Sequence, residues 1–143
     1  MATAFAASPP AWFRVAALVA VLWNGFGVAM YLSSVGVFGD PMAGLSEAER
    51  VAAASIPAWI TAAFAIGTFA GLAGSLGLVL RKAWAQPVLI VSLVALLMLE
   101  GWILFFSGAL EAFGGPAVPI MVSTGAILLA WAATHARRRA WLA

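Results

Sequence analysis

Gln86-Pro87-Val88-Leu89-Ile90-Val91-Ser92-Leu93-Val94-Ala95-Leu96-Leu97-Met98-Leu99-Glu100-Gly101-Trp102-Ile103-Leu104-Phe105-Phe106 is an apolar run with one ionisable side chain inside it. At about 1.5 Å of rise per residue, a helix of this length crosses the roughly 30 Å hydrocarbon layer of a bilayer. Glu100 then lies at bilayer depth, where a charge costs at least about 2.5–3.5 kcal/mol on insertion scales. That cost places its carboxyl against protein, water or a ligand rather than lipid, with protonation as one means of lowering it.

Outward from this stretch, the whole chain has the same character. It has 143 residues, of which 65% are hydrophobic and 8% charged, an apolar share well above that of a soluble domain. One membrane domain over residues 1–143 is the expectation, because lipid solvates the outer surface and only helix contacts and backbone pairing must be satisfied internally. The net charge of +2 rests on few groups. Arg137, Arg138 and Arg139 form the one basic run and no basic patch interleaves with aromatics, so the expected partner is a lipid bilayer and not nucleic acid.

The composition also restricts chemistry. Without cysteine there are no disulfides, thiolate catalysis or Cys-ligated metals. With a single histidine, His135, and no nucleophile, base and orienter set or phosphate loop, no catalytic residue and no metal ligand is assigned, and a non-enzyme is expected. His135 reads as an interfacial side chain at a helix C-terminus, where a cation is favoured; a proton relay is its other reading.

Residues 1–11 carry no side-chain charge and end in Pro9-Pro10, an extended lead from which a helix can start. They do not read as a signal peptide, since no basic residue precedes an apolar run that is itself of membrane length. The first span is expected over about 12–33. In it Ala16, Ala20, Asn24, Gly27 and Tyr31 recur at helical spacing, a stripe of small and polar side chains suited to close helix contact. Asn24 is expected to point inward, as an interhelical hydrogen bond or a ligand contact.

Ser46 and Glu49 form an S-x-x-E capping box, which predicts a short helix over about 47–55 outside the membrane core, ending before Pro57. It reads as a lid, a partner-docking element or a solvated loop helix. The second span, about 57–80, places Ala63, Gly67, Gly71 and Ser75 at successive i,i+4 positions with Gly74 alongside, a glycine-zipper pattern that lets helix backbones approach closely. Its neighbour is another span or a second protomer. The short connection Arg81–Gln86 makes an antiparallel hairpin with the third span, about 87–106. The fourth span, about 117–134, carries Ser123 and Thr124. The expected fold is an all-α membrane protein, a four-transmembrane-helix bundle with a short extracytoplasmic helix between spans one and two.

Six of the seven basic residues flank one side of these spans and Arg50 alone the other, which puts both termini in the cytoplasm. Trp12, Trp84 and Trp141 fit the inner interfacial belt and Trp59 the outer, whereas Trp23 and Trp102 lie deep. By helical rise Asn24 and Glu100 both lie roughly 18–20 Å above the cytoplasmic span ends. Ser123 and Thr124 come to a similar depth. A shared polar layer of Asn24, Glu100, Ser123 and Thr124 flanked by Trp23 and Trp102 is therefore expected. Glu100 in that layer either pins helix register by donating to Asn24 or a carbonyl, holds the polar group of a lipid, quinone or pigment, or titrates in proton-coupled transport.

Leu22-Trp23-Asn24-Gly25-Phe26-Gly27, Pro57-Ala58-Trp59 leading into Ala63-Phe64-Ala65, the run Leu80-Arg81-Lys82-Ala83-Trp84-Ala85-Gln86-Pro87, and the third span near Glu100 resemble a family of short four-span bacterial inner-membrane proteins commonly labelled sugar transporters. The resemblance covers most of the chain and implies the four-span topology. The small sugar-translocating half-transporters differ, having three spans and a Pro-Gln pair where this chain has Gln86-Pro87. The glycine-rich second span is also similar in topology to DoxX-like proteins. The resulting expectation is a bacterial inner-membrane accessory or assembly subunit that contacts a lipid, quinone or pigment and meets a protein partner or a second copy through small-residue helix faces. The alternative is a sugar-like or proton-coupled small-molecule transporter using Glu100.

Overall fold

A proline lies at or near the start of each long helix of this chain. The computed structural model describes residues 8–143, so the first seven residues of the expected N-terminal lead lie outside the described part. The order is α1 (Ala11–Ser34), α2 (Glu47–Ala54), α3 (Ala58–Val79), α4 (Ala85–Phe105), a 3-10 turn at Leu110–Phe113, and α5 (Ala117–Arg138). Pro10 and Pro57 are extended N-caps of α1 and α3. Pro87 and Pro119 instead lie inside the first turns of α4 and α5, where a backbone N–H has no intrahelical partner to lose. For that reason α4 starts at Ala85, two residues before Pro87, where the apolar run predicts the span to begin. α5 runs one turn beyond residue 134 and carries His135, Arg137 and Arg138 in its last turn, where unpaired carbonyls favour cations.

Four of these helices, α1, α3, α4 and α5, are long and apolar enough to cross a membrane, and the chain is an all-helical membrane protein built as a four-helix bundle. Its principal contacts run α1 on α3, α3 on α4 and α4 on α5. Bare backbone on α3 makes the central contact possible. A methyl group built on Gly67 would fall 2.7 Å from Leu96 Cδ2, and one on Gly74 would fall 2.5 Å from Leu89 Cγ. Ser92 of α4 donates to the Gly67 carbonyl at 2.6 Å, a bond that requires the same close approach. Between helices in lipid, such contacts supply the association that apolar burial supplies in water.

Large side chains complete the fourth side of the bundle. Trp23 of α1 brings its Nε1 to 4.0 Å from the Cβ position of Gly125 on α5, and Phe13 and Trp141 pack with ring centroids 5.4 Å apart. Below them the C-terminal tail docks on the α3–α4 connection. Arg81 and Ala140 both adopt positive φ just past the ends of α3 and α5, and the following amides close each helix, Lys82 N–H to Gly77 O and Trp141 N–H to Ala136 O. The two turns then pair, Ala83 N–H to Ala143 O at 2.8 Å and Ala143 N–H to Arg81 O at 2.7 Å. Leu142 completes a buried cluster with Phe13, Ala17, Leu78, Ala85, Leu89, Ala133 and Ala136. The start of α1 and the C-terminal tail therefore share one end of the bundle.

At the other end α2 packs near the 3-10 turn. Its capping box is formed on both sides, with Ser46 N–H donating to Glu49 Oε2 at 2.7 Å and Glu49 N–H donating to Ser46 Oγ at 3.3 Å. The Ser46 hydroxyl, and then its amide, hold the Glu49 carboxyl below the ordinary value of 4.5. A carboxyl lowered by folding contributes stability that is complete above that ordinary value and is lost as pH falls through the folded one. Amide-exchange protection of α2, corrected for intrinsic rates, is expected to hold from neutral pH down to the ordinary carboxylate range and to fall below it, with Ser46→Ala weakening the dependence by removing the hydroxyl and leaving the amide. Protection that stays constant after the Glu49 carboxyl has been protonated would contradict this account.

Candidate functional site

Five polar side chains are buried among the described residues: Asn24, Thr68, Ser75, Ser92 and Glu100. Four of them are paired. Asn24 Nδ2 donates to Ala20 O at 2.9 Å, one turn back on α1, and to Ser75 Oγ on α3 at 3.1 Å. The Ser75 hydroxyl donates to Gly71 O at 2.7 Å, that of Thr68 to Phe64 O at 2.9 Å, and that of Ser92 to Gly67 O. The Asn24 carboxamide oxygen lies directly over Gly71, and Ser92 Oγ lies 3.0 Å from the same Cβ position. Three helices thus meet at one glycine, around a polar knot whose donors are used within the protein.

Glu100 is different. Only 4% of its surface is exposed, and Oε2 is buried without a hydrogen-bond partner. Leu96 and Leu99 beside it on α4 join Ile60 of α3 in an apolar cluster, flanked by Phe64, Trp102, Ile103 and Val122. An unpaired polar group in such surroundings costs on the order of several kcal/mol if charged and still about 1–3 kcal/mol if neutral.

The expected single layer is therefore divided into two levels. Asn24 and Ser92 meet at Gly71, whereas Glu100 lies eight residues, or about 12 Å, farther along α4 than Ser92. Equal rise along two spans gives equal depth only where the spans start at one height. Asn24 is thirteen residues from the start of α1 but Ser92 only seven from the start of α4, so α1 is staggered or tilted against its neighbours by several residues. Thr124 joins neither level: it is exposed and donates to Ile120 O within its own helix at 2.7 Å. Ser123 is half-buried. Trp23 spans α1 and α5, and Trp102 packs edge-on against Phe113 of the 3-10 turn at 6.4 Å. Of the small residues singled out on α3, Ala63, Gly67, Gly71, Gly74 and Ser75 are all buried, and Gly67, Gly71 and Gly74 face α4. Ser92 was not singled out, since nothing in the sequence separates it from a lipid-facing serine.

One cavity, of about 570 Å³, lies beyond Glu100 at the end covered by α2 and the 3-10 turn. Its walls include Ala48 of α2, Ile103 and Leu104 of α4, and Glu111. Ile103 and Leu104 are i+3 and i+4 from Glu100 and so continue the same helix face.

These features define a class: a four-span helical membrane protein with one interior carboxyl that its own fold leaves unpaired. Compared with known protein families, curated proteins and solved structures, the chain matches none.

Proposed function

We propose that this protein is a non-enzymatic accessory or assembly subunit of a bacterial inner-membrane complex, which holds a small amphipathic molecule of the lipid, quinone or pigment kind through Glu100. The observation that carries the proposal is the buried, partnerless Glu100 Oε2 in an interior where the other buried polar side chains are paired. An acid inside the membrane is costly enough to be the first candidate for a functional group. The cavity of about 570 Å³ lies on α4 one turn beyond Glu100, lined by Ile103 and Leu104 and not by Glu100 itself. A protein partner would pack against α1 and α5, which are the least covered of the long helices. The excess of basic residues at the end shared by α1 and the C-terminal tail supports a cytoplasmic location for both termini.

Small-molecule transport is the second reading, in keeping with the resemblance to four-span proteins labelled sugar transporters. It needs Glu100 to be reached by water from both sides, and neither of the two cavities described is lined by Glu100. A single carboxyl without a second titrating partner also supports binding better than a complete transport cycle.

Native mass spectrometry of gently extracted protein tests both. The expected result is a co-purifying protein together with a small-molecule adduct of constant mass that Glu100→Gln loses. A homo-oligomer with neither would overturn the accessory reading. Uptake into liposomes that depends on pH and disappears in Glu100→Gln would replace it with transport.

A further inference from the structure

The apolar cluster beside Glu100 is closed off by two pieces of chain from one end of the bundle. Ile56, in the link between α2 and α3, packs on the cluster of Ile60, Leu96 and Leu99, and so does Trp102. Trp102 in turn meets Phe113 of the 3-10 turn edge-on. The cavity of about 570 Å³ one turn beyond the acid is walled by the same two pieces, through Ala48 of α2 and Leu110 and Ala112 of the turn. With Glu100 only 4% exposed and lining neither cavity, a molecule arrives at its carboxyl only when something covering it moves.

The two ends of the bundle are held differently. At the end shared by α1 and the C-terminal tail, a second cavity of about 360 Å³ opens between Arg14 of α1 and Arg81 past α3. Hydrogen bonds there cross between distant segments: Arg81 and Ala83 pair with Ala143, the Gln86 side chain donates to Thr134, and Arg137 donates to Gln86. At the other end, among the described residues, the hydrogen bonds of residues 36–56 and 107–115 close within their own segment or on the adjoining helix turn. The capping box satisfies the start of α2 from inside, so α2 can leave the spans without breaking a hydrogen bond. Its main contact with another helix is the 3-10 turn. Gly44, just ahead of α2, and Gly108, just ahead of the turn, take φ of +78° and +63° with nothing within 4 Å of a Cβ, so no neighbour pins either one.

From this asymmetry we infer that α2 and the 3-10 turn form a lid that swings away from α4 as one body and uncovers Glu100, with the Trp102–Phe113 contact as its latch. The inference rests on the reading of Glu100 as a ligand-holding group and adds how that group is reached. Lids are drawn from the least tied parts of a fold, because their opening must cost little. Here opening costs packing and no hydrogen bond between segments.

The test reads how fast Glu100 in the full chain reacts with a water-soluble carbodiimide and glycine ethyl ester, by peptide mass spectrometry, with exposed Asp40 as the reference carboxyl. The chain has no cysteine, so Ala48→Cys and Leu104→Cys, one on α2 and one on α4 but both on the cavity wall, can be joined by a reducible bis-maleimide. Joining them is expected to slow the reaction of Glu100 at least about ten-fold, and reduction of the tether to restore it. Phe113→Ala is expected to speed it about two- to ten-fold, the shift that one lost aromatic contact allows. Phe38→Ala, exposed in the loop ahead of α2, is expected to stay within about two-fold of wild type. Equal rates in the joined and reduced forms, or no reaction at Glu100 in any form, would overturn the lid. Should Phe113→Ala fail to fold, the tethered pair decides. A tether-dependent rate in protein that carries no small-molecule adduct would keep the lid and sink the ligand reading; an adduct with a rate indifferent to the tether would do the reverse.

Discussion

Gly71→Val is expected to cost far more stability than Gly67→Val. A Cβ at this position would run into the Asn24 carboxamide, lie 2.9 Å from Asn24 Cγ and 3.0 Å from Ser92 Oγ, so the helix on either side must move. At Gly67 the obstruction is mainly the end of the Leu96 side chain, which can turn away. At Gly71 the obstructing atoms are hydrogen-bonded polar groups on two different helices, and relief would break the Asn24 to Ser75 bond. Overpacking of this kind costs about 1–3 kcal/mol and occasionally more, and a branched side chain should reach the upper end. Gly25→Ala and Gly101→Ala provide the control, because nothing lies within 4 Å of the Cβ at either position. Both are expected to be neutral or to stabilise by up to about 1 kcal/mol, the helix-propensity gain of alanine over glycine. The midpoint of heat-induced loss of monodisperse protein in detergent reads each of these variants. If Gly71→Val melts with Gly101→Ala, the three-helix junction is misplaced.

Glu100→Met is expected to act in the opposite direction and raise that midpoint. The substitution replaces a carboxyl that has no partner with an apolar side chain of similar length among Leu96, Leu99 and their neighbours. Replacing buried ionisable groups by well-packed apolar ones is often neutral or stabilising by about 1–4 kcal/mol. Asn24→Leu serves as the contrast. It removes the donor to Ser75 Oγ and Ala20 O and is expected to lower stability by about 1 kcal/mol, the usual scale for an interhelical hydrogen bond in lipid. A site that gains stability when its polar group is removed, and loses its bound molecule as it does so, shows the stability–function trade-off of a group kept for binding. Should Glu100→Met destabilise the fold as Asn24→Leu does, Glu100 has a structural partner and the proposed role is lost.

The four spans, the capped helix α2 and the inward position of Asn24 and Glu100 are all legible in the sequence, because each follows from a local rule. Apolar length dictates a span, the Ser46–Glu49 spacing dictates a cap, and the cost of a polar atom in hydrocarbon dictates which way it faces. Gly67, Gly71 and Gly74 on one stripe likewise announce a close helix contact, although not with which helix.

What only the tertiary structure decided is height and azimuth. The stagger of α1 against α3 and α4 depends on where Asn24 finds Gly71 and Ser75, a contact between positions roughly fifty apart in the chain that no local periodicity encodes. That stagger separates Asn24 from Glu100 and turns one supposed layer into a satisfied knot and an unsatisfied acid. The same applies to Arg14 and Arg81, which read as two topology signals in the sequence and become one groove only because α1 lies against the end of α3. Residue type determines what each group requires of its surroundings; packing between distant segments determines which of those requirements the chain meets by itself.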